Sequence, residues 1–140
     1  MIFSSIGRVA FSYSGFLTAG SNSFRRPGGI YDTHYFKALE VIASTSGHYA
    51  FASGSTTDLY GCLYDSFSQY SPFSNLIECN DDYAPGVNFR LEIHLLAYQS
   101  KVLVVTTYEP SETASFDLKA YGPGIITGED IPYSQKYEID

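Results

Sequence analysis

Short apolar segments of strand type, separated by turn-forming residues, dominate this chain and favour an all-β fold. Helical periodicity is nearly absent, whereas segments in which polar and apolar residues alternate are frequent. Gly, Pro, Ser and Thr gather between the segments, for example in residues 26–29 and 121–124. Eight strands are predicted, at residues 8–12, 34–42, 47–52, 58–64, 75–79, 88–95, 101–108 and 114–120.

The spacing of these strands indicates a single antiparallel β-sandwich of jelly-roll-like type. A chain of 140 residues fits one domain and can bury a core without a metal. The unbroken run Val102-Leu-Val-Val predicts a central strand that is covered on both faces. We expect the sandwich to occupy residues 1–124. Residues 125–140 lack a core pattern and are expected to form a C-terminal arm or linker.

The N-terminal residues allow two interpretations. Residues 1–20 loosely resemble a signal peptide, with Arg8 ahead of an apolar stretch. Ser12, Ser14 and Gly15 interrupt that stretch, which favours a strand instead.

The charge balance excludes several partner classes. A net charge of −7 and a pI near 4.7 argue against nucleic acid, because phosphates attract clustered Lys and Arg. No apolar run approaches the roughly 20 residues that span a bilayer, so membrane insertion is not expected. Charged residues make up only 16% of the chain, and 13 tyrosines with many Ser, Thr and Gly take their place. Such a surface is typical of secreted β-proteins and of binding surfaces.

Cys62 and Cys79 each lie in an apolar run, on either side of one polar spacer. A cross-strand pair there satisfies disulfide geometry, and loop-closure entropy would add about 3 kcal/mol of stability. The pair predicts a disulfide and an oxidising compartment. Two buried free thiols in a cytosolic protein remain the alternative, and the spacing matches no zinc finger.

An acidic cluster follows the second cysteine. Asp58 opens the partner strand, and Asn80, Asp81 and Asp82 follow Cys79. Calcium prefers carboxylate, amide and backbone oxygens, and a loop can present these without a helix. These residues are candidate calcium ligands, although their spacing is not that of an EF-hand. A solvated turn rich in Asp and Asn is the alternative.

No catalytic motif stands out. His34, His48 and His94 form no recognisable constellation, and the Gly-x-Ser-x-Gly elbow of a nucleophilic serine is absent from the sequence. Glu40, Glu78 and Glu92 are candidate carboxylates, but no pattern pairs them across a cleft as glycoside hydrolysis requires. The chain is therefore predicted not to be an enzyme.

Tyrosine is the other candidate for recognition. It offers a large contact area with a polar tip, stacks well against sugars and anchors many interfaces. Tyr60, Tyr64 and Tyr83 lie closest to the cysteine pair and the acidic cluster, and they are predicted binding residues. The alternative is that most tyrosines belong to the core.

Several motifs, taken in their order, resemble the pre-peptidase C-terminal type of β-sandwich. They are Gly47-His-Tyr-Ala-Phe, Asp58-Leu-Tyr-Gly-Cys-Leu-Tyr-Asp65, Asn80-Asp-Asp82 and Lys101-Val-Leu-Val-Val. In related repeats of large extracellular animal proteins, rotifer proteins included, further motifs match Phe24-Arg-Arg-Pro-Gly-Gly29 and Phe116-Asp-Leu-Lys-Ala-Tyr-Gly-Pro123. The resemblance covers about residues 11–123.

The resemblance implies a jelly-roll-like sandwich, secretion and a non-catalytic accessory role in substrate or matrix binding. It also implies calcium ligands at Asp58, Asp81 and Asp82. Asn80 stands where the family often has another aspartate, and the cysteine pair is not general to the family.

Two functions follow as hypotheses. The first is an extracellular module for adhesion or assembly, in one form a subunit of a surface filament or sheath. Its partners would be other copies of itself, and residues 1–14 or 125–140 would connect them. The second is a calcium-assisted module that binds carbohydrate or extracellular matrix.

Overall fold

The computed structural model describes residues 8–81 and 88–132, which form strands joined by turns and loops. Each of the eight predicted strands is present, and residues 34–42 divide at Phe36 into two strands. The strands are β1 Arg8–Leu17, β2 Ser23–Phe24, β3 His34–Tyr35, β4 Lys37–Ala43, β5 Gly47–Gly54, β6 Leu59–Tyr64, β7 Leu76–Asn80, β8 Arg90–Leu95, β9 Ser100–Thr107, β10 Ala114–Gly122 and β11 Ile126–Asp130. Within these ranges, no helix has the length and apolarity that crossing a membrane requires.

Two antiparallel sheets form the sandwich, as predicted. The four-stranded sheet has the order β1-β10-β5-β8, and the five-stranded sheet has the order β11-β4-β9-β6-β7. A small two-stranded sheet pairs β2 with β3. Because sequence neighbours often lie in opposite sheets, the chain crosses repeatedly between them, which is typical of jelly-roll-like sandwiches.

The main core lies between the two sheets. Alternate residues of each strand point into it, so that apolar side chains from both inner faces interdigitate. These include Phe51, Leu91 and Leu118 from the four-stranded sheet and Leu103 and Val105 from the five-stranded sheet, all almost fully buried.

The central strand β9 is buried on both faces, which confirms the prediction made from its unbroken apolar run. Leu103 and Val105 face the main core. Val102 and Val104 face a second apolar cluster on the outer side of the five-stranded sheet. This second cluster explains why β9 lacks the polar alternation of a half-exposed strand.

Aromatic rings build the second cluster. Phe24 and Phe36 lie with ring centroids 4.8 Å apart, and Phe67 contacts both at 5.7 and 5.4 Å. Tyr64 packs against Phe67 at 4.8 Å, and its hydroxyl donates to the carbonyl of Pro72 at 2.6 Å. The segments around β2 and after β6 therefore cover the outer face of the five-stranded sheet.

The predicted boundary at residue 124 is wrong. β11 pairs with β4 along its length, with Thr127 opposite Ile42, so the five-stranded sheet extends to Asp130. Residues 8–14 of the proposed N-terminal arm likewise belong to β1. The pattern was missed because only Ile126 of β11 is buried, whereas its other residues are half-buried or exposed. Residues 1–7 and 133–140 lie outside the described residues.

β1 and β11 lie side by side at one edge of the sandwich. The Tyr13 hydroxyl donates to Asp130 Oδ1 at 2.8 Å and thereby links the two sheets. Burial and this hydrogen bond raise the pKa of Tyr13. At the opposite edge, the backbone N–H of Arg90 on β8 donates to Asn80 Oδ1 on β7 at 3.0 Å.

Gly122 permits a close contact in the core. A Cβ at this position would overlap the ring of Tyr49, which is fully buried and whose hydroxyl donates to the carbonyl of Thr45 at 2.7 Å. We expect Gly122→Ala to lower the free energy of unfolding by about 1–3 kcal/mol through overpacking. Gly54→Ala is the control, because a Cβ there meets its nearest atom only at 3.9 Å. Urea denaturation that shows equal stability for the two variants would contradict this packing.

Candidate functional site

The predicted cysteine pair forms a disulfide, which confirms that prediction. Cys62 on β6 stands directly opposite Cys79 on β7, with Cα atoms 4.1 Å apart. The bond fastens the edge strand β7 to the rest of the five-stranded sheet. Both cysteines also contribute to the second apolar cluster, so the bond is part of the layer that covers this sheet.

The predicted calcium ligands lie near one end of the same two strands. The amide oxygen of Asn80 already accepts a hydrogen bond from Arg90 N–H of β8, which ties it to the backbone. Burial raises the pKa of Tyr60, and the charge of Asp81 acts in the same direction, whereas the charge of Arg26 opposes it. The carbonyl of Asp58 accepts a hydrogen bond from Tyr108 N–H at 2.9 Å. Asp82 lies outside the described residues.

The described members of this cluster do not by themselves supply a complete set of calcium ligands. In residues 8–81 and 88–132, no three His, Cys, Asp or Glu side chains come together in a way that could hold a metal ion. Asn80 is engaged with the β8 backbone, so its oxygen serves the sheet. Calcium binding therefore stays a prediction that depends on Asp82.

The three predicted tyrosines have different positions. Tyr64 is fully buried, so the assignment of this residue to a binding surface is wrong and the alternative of a core tyrosine holds. It is buried because its face of β6 is covered by the second cluster. Tyr60 is half-buried beneath Arg26, and Tyr83 lies outside the described residues.

Arg26 forms a buried clamp that the sequence analysis did not single out. Its guanidinium lies over the rings of Tyr60 and Tyr108, 4.1 and 4.9 Å from their centroids. Nε and Nη2 both donate to the carbonyl of Tyr108, at 3.1 and 2.9 Å, and Nη1 donates to that of Pro27 at 2.7 Å. Two aromatic faces and backbone carbonyls thus stabilise a cation that is only 7% exposed.

The clamp explains the motif Phe24-Arg-Arg-Pro-Gly-Gly29. Phe24 enters the second cluster, and Arg26 fixes the loop to the end of β9. Gly28 adopts a φ of +84° beside the guanidinium, a conformation in which a side chain would be strained. The resemblance identified the motif but not its role, because the role of Arg26 depends on contacts with Tyr60 on β6 and with Tyr108 after β9.

His34 lies next to this clamp. It is 1% exposed, and its Nδ1 lies 3.0 Å from the carbonyl oxygen of Thr107. Burial lowers the pKa of His34, and the charge of Arg26 acts in the same direction. A neutral imidazole donating to a carbonyl is a structural arrangement, and the closed surroundings leave little room for a substrate.

The outer face of the four-stranded sheet brings together two residues that the sequence analysis could not pair. His48 Nε2 lies 3.0 Å from Glu92 Oε1, and Arg90 Nε lies 3.0 Å from Glu92 Oε2. The hydrogen bonds from Arg90 and then His48 lower the pKa of Glu92. Ion pairs this exposed contribute about 0–1 kcal/mol to stability.

A cleft of about 470 Å³ opens at one end of this same face. It lies across β1, β10 and the end of β5, where Ser14 stands opposite Asp117 and Asp117 opposite Gly54. Phe16 belongs to its lining and is 67% exposed. Hydroxyl groups and one carboxylate complete the polar lining, supplied by Ser14, Ser55, Thr56, Ser115 and Asp117.

The cleft was missed because its residues come from three distant segments. One local signal was present. In β1, Phe16 falls on the same side as Ser12 and Ser14, so an aromatic ring occupies the polar face of an alternating strand. The predicted strand covers only residues 8–12, so Ser14 and Phe16 lie outside it and the pattern could not be recognised.

The disulfide gives a stability prediction. Replacing both Cys62 and Cys79 with alanine should lower the free energy of unfolding by about 3 kcal/mol, because the bond closes a loop with a sequence separation of 17 residues. Urea denaturation of the variant and of the wild-type protein, each with and without reductant, measures the change. The reductant should destabilise only the wild type. Equal midpoints for oxidised and reduced wild type would contradict the role assigned to the bond.

His34 gives a pH prediction. Because its folded-state pKa lies below the ordinary 6.5, the unfolded chain binds the proton more readily than the folded chain. Stability from this residue is fully present above pH 6.5 and falls as the pH drops below that value. We expect the free energy of unfolding to fall as the pH is lowered below 6.5, and to fall less in His34→Asn. The exposed His48→Asn is the control and should keep the wild-type fall.

No protein-family profile matches this chain, and no curated protein sequence matches it. Among solved structures, it is similar to the Yersinia pseudotuberculosis-derived mitogen, with 15% identity, a TM-score of 0.50, and coverage of 84% of this chain and 88% of that one. It is also similar to the pre-peptidase C-terminal domain of a collagenase from Bacillus anthracis, with 11% identity, a TM-score of 0.48, and coverage of 80% and 89%. A third is Aeromonas hydrophila PliG, a periplasmic inhibitor of g-type lysozyme, with 14% identity, a TM-score of 0.47, and coverage of 86% and 91%. The first likeness supports the two-sheet sandwich fold.

Proposed function

We propose that this protein is a non-catalytic extracellular module for adhesion or assembly, and that copies join by adding a strand at the edge formed by β1. The observation that carries this proposal is the character of β1. It is the longest described strand, with ten residues, and Arg8 is its one charged side chain. Its outer side pairs with no strand among residues 8–81 and 88–132.

Edge strands normally carry devices that prevent pairing with other chains, such as short length, charge or proline. The other three edge strands of the two main sheets have them. β11 and β7 have five residues each, and β11 ends in Glu129 and Asp130. β8 has six residues and includes Arg90 and Glu92.

β1 lacks these devices over residues 11–17, because its one charge, Arg8, and its one register shift, between Val9 and Phe11, lie near its start. Val9 and Phe16 are 55% and 67% exposed on it, and proline is absent from the strand. An unprotected edge of this length offers a row of backbone donors and acceptors to an incoming strand. Such pairing supplies main-chain hydrogen bonds without requiring a specific side-chain sequence.

The disulfide supports an extracellular or cell-envelope location. Such bonds persist in oxidising compartments and are rare in the cytosol. Cys62 and Cys79 are bonded directly across two strands, so the bond is part of the fold.

A charge placed on β1 tests the proposal. Ser12 is exposed on β1, and Ser12→Lys puts a charge on the edge, which should weaken self-association by roughly tenfold. Ser115→Lys is the matched control, because it adds the same charge to an exposed position of the inner strand β10. Sedimentation velocity over a wide concentration range measures both, and negative-stain microscopy tests for filaments.

The expected result is concentration-dependent association of the wild type and of Ser115→Lys, with Ser12→Lys shifted towards monomer. A wild-type protein that stays monomeric at high concentration would argue against assembly altogether. Equal association of both variants would place the contact elsewhere and contradict the role of β1.

A second candidate function is carbohydrate or matrix binding, assisted by calcium. The observation that favours it is the polar cleft with the exposed ring of Phe16. Asp58, Asp81 and Asp82 remain the proposed calcium ligands. A glycan array and a collagen pull-down, each run with calcium and with EDTA, test this candidate. Equal signal with calcium and with EDTA would contradict the role of calcium. No signal in either assay would contradict this candidate function.

A further inference from the structure

We propose that the cleft between β1, β10 and the end of β5 is a subsite for one unit of a neutral saccharide. This inference rests on the second candidate function and gives it a place and a ligand class. The cleft has a volume of about 470 Å³, within the range of about 300–1,000 Å³ that ligand pockets occupy.

Phe16 supplies the apolar side of the cleft. It stands opposite Ser115 on β10, so its ring borders a position whose own side chain is short. The ring is 67% exposed although the neighbouring Leu17 is almost fully buried. A sugar ring has an apolar C–H face that is bordered by hydroxyls. An exposed aromatic ring with polar groups beside it can therefore stack on that face while the polar groups bind the hydroxyls.

Asp117 supplies the strongest acceptor. Its Oδ1 accepts a hydrogen bond from Ser14 Oγ at 2.7 Å, which orients the carboxylate. No described residue donates to the second oxygen, Oδ2, in the cleft. Hydrogen bonds from hydroxyls to a carboxylate are short and strong, so a sugar hydroxyl is a well-matched donor for Oδ2.

The loop after β5 supplies further hydroxyls. Ser55 Oγ donates to the carbonyl of Ser115 at 2.8 Å and accepts from Thr57 N–H at 3.1 Å, so the loop is fixed against β10. Thr56 is exposed beside it and lines the cleft. A hydroxyl can both donate and accept, and it therefore suits a ligand that is itself made of hydroxyls.

The charge of the lining selects among sugars. Among the residues that the structure describes, no Lys, Arg or His lines the cleft, and the one charged group in the lining is the carboxylate of Asp117. An acidic sugar would meet repulsion without a compensating cation, so uncharged hexose or pentose units fit better than acidic ones.

Gly54 keeps the cleft open. A Cβ at this position would lie 3.9 Å from its nearest neighbour, the Asp117 Cβ, so no close packing requires the glycine. A larger side chain at residue 54 would extend into the cleft and leave the core unchanged. Gly54→Val is therefore a variant that blocks the site without removing any of its polar groups.

Affinity electrophoresis of the full chain tests the subsite, with a glycan array to choose the probe. The gels contain dextran, galactomannan or xylan as neutral probes and alginate as the acidic probe. Phe16→Ala, Asp117→Asn and Gly54→Val should each weaken binding to the neutral probe by roughly tenfold. Phe73→Ala is the matched control, because Phe73 is 60% exposed and lies outside the cleft. Asp32→Asn is the corresponding control for the carboxylate.

Four outcomes distinguish the failure of the proposed subsite from the failure of the function on which it rests. Retardation that is lost in the three cleft variants and kept in both controls supports the subsite. Retardation that survives the cleft variants leaves glycan binding standing and overturns the cleft. No binding to any glycan on the array overturns the subsite together with the carbohydrate-binding form of the second candidate function. Stronger binding to alginate than to the neutral probes would overturn the assignment of the ligand class.

Discussion

The burial of β9 on both faces is the constraint on which the rest of the structure depends. A strand with apolar residues on its outer side needs a cover, and no second large sheet is present on that side within the described chain. The cover comes instead from Phe24, Phe36 and Phe67, which belong to segments that would otherwise be plain connections. Arg26 holds the segment that carries Phe24 against the end of β9, and the disulfide closes the connection between β6 and β7 that carries Phe67.

This arrangement explains why the polar groups on the outer side of the five-stranded sheet are poorly accessible to a ligand. Arg26 and His34 are buried, and their hydrogen bonds are made with backbone carbonyls of the loops and of β9. Such groups stabilise the cover and are poorly accessible to a ligand. The four-stranded sheet has no corresponding cover among the described residues, and its outer face carries the ion pairs of Glu92 and the cleft beside Phe16.

Much of the fold could be predicted from the sequence, because alternation and turn residues are local signals. The eight predicted strands and the double burial of β9 followed from such patterns. β11 could not be found, because only Ile126 is buried in it and the strand depends on pairing with β4. The extent of β1 was underestimated for a similar reason, since Ser14 and Gly15 look like a break when their partners on β10 are unknown.

The candidate sites were harder to predict, because they depend on which segments meet. The chain has two cysteines, so each has one possible partner, and the disulfide could be predicted from the sequence. Tyr60 and Tyr64 occupy the same strand four residues apart, yet only the loop after β6 decides that Tyr64 is buried completely. The lining of the cleft joins residues about 100 positions apart, as the separation of 103 between Ser14 and Asp117 shows. No local pattern reports such a meeting.

The unequal covering of the two sheets has a consequence for how this fold can diversify. Substitutions on the outer side of the five-stranded sheet disturb packed aromatic rings and are costly, since changes of a single methylene are felt in such clusters. Substitutions on the outer face of the four-stranded sheet fall mostly on exposed positions, where typical effects stay within about 0.5 kcal/mol. Proteins that share this architecture are therefore expected to keep the cover of β9 recognisable. They are free to exchange the residues of the open face and to acquire different ligands on one conserved frame.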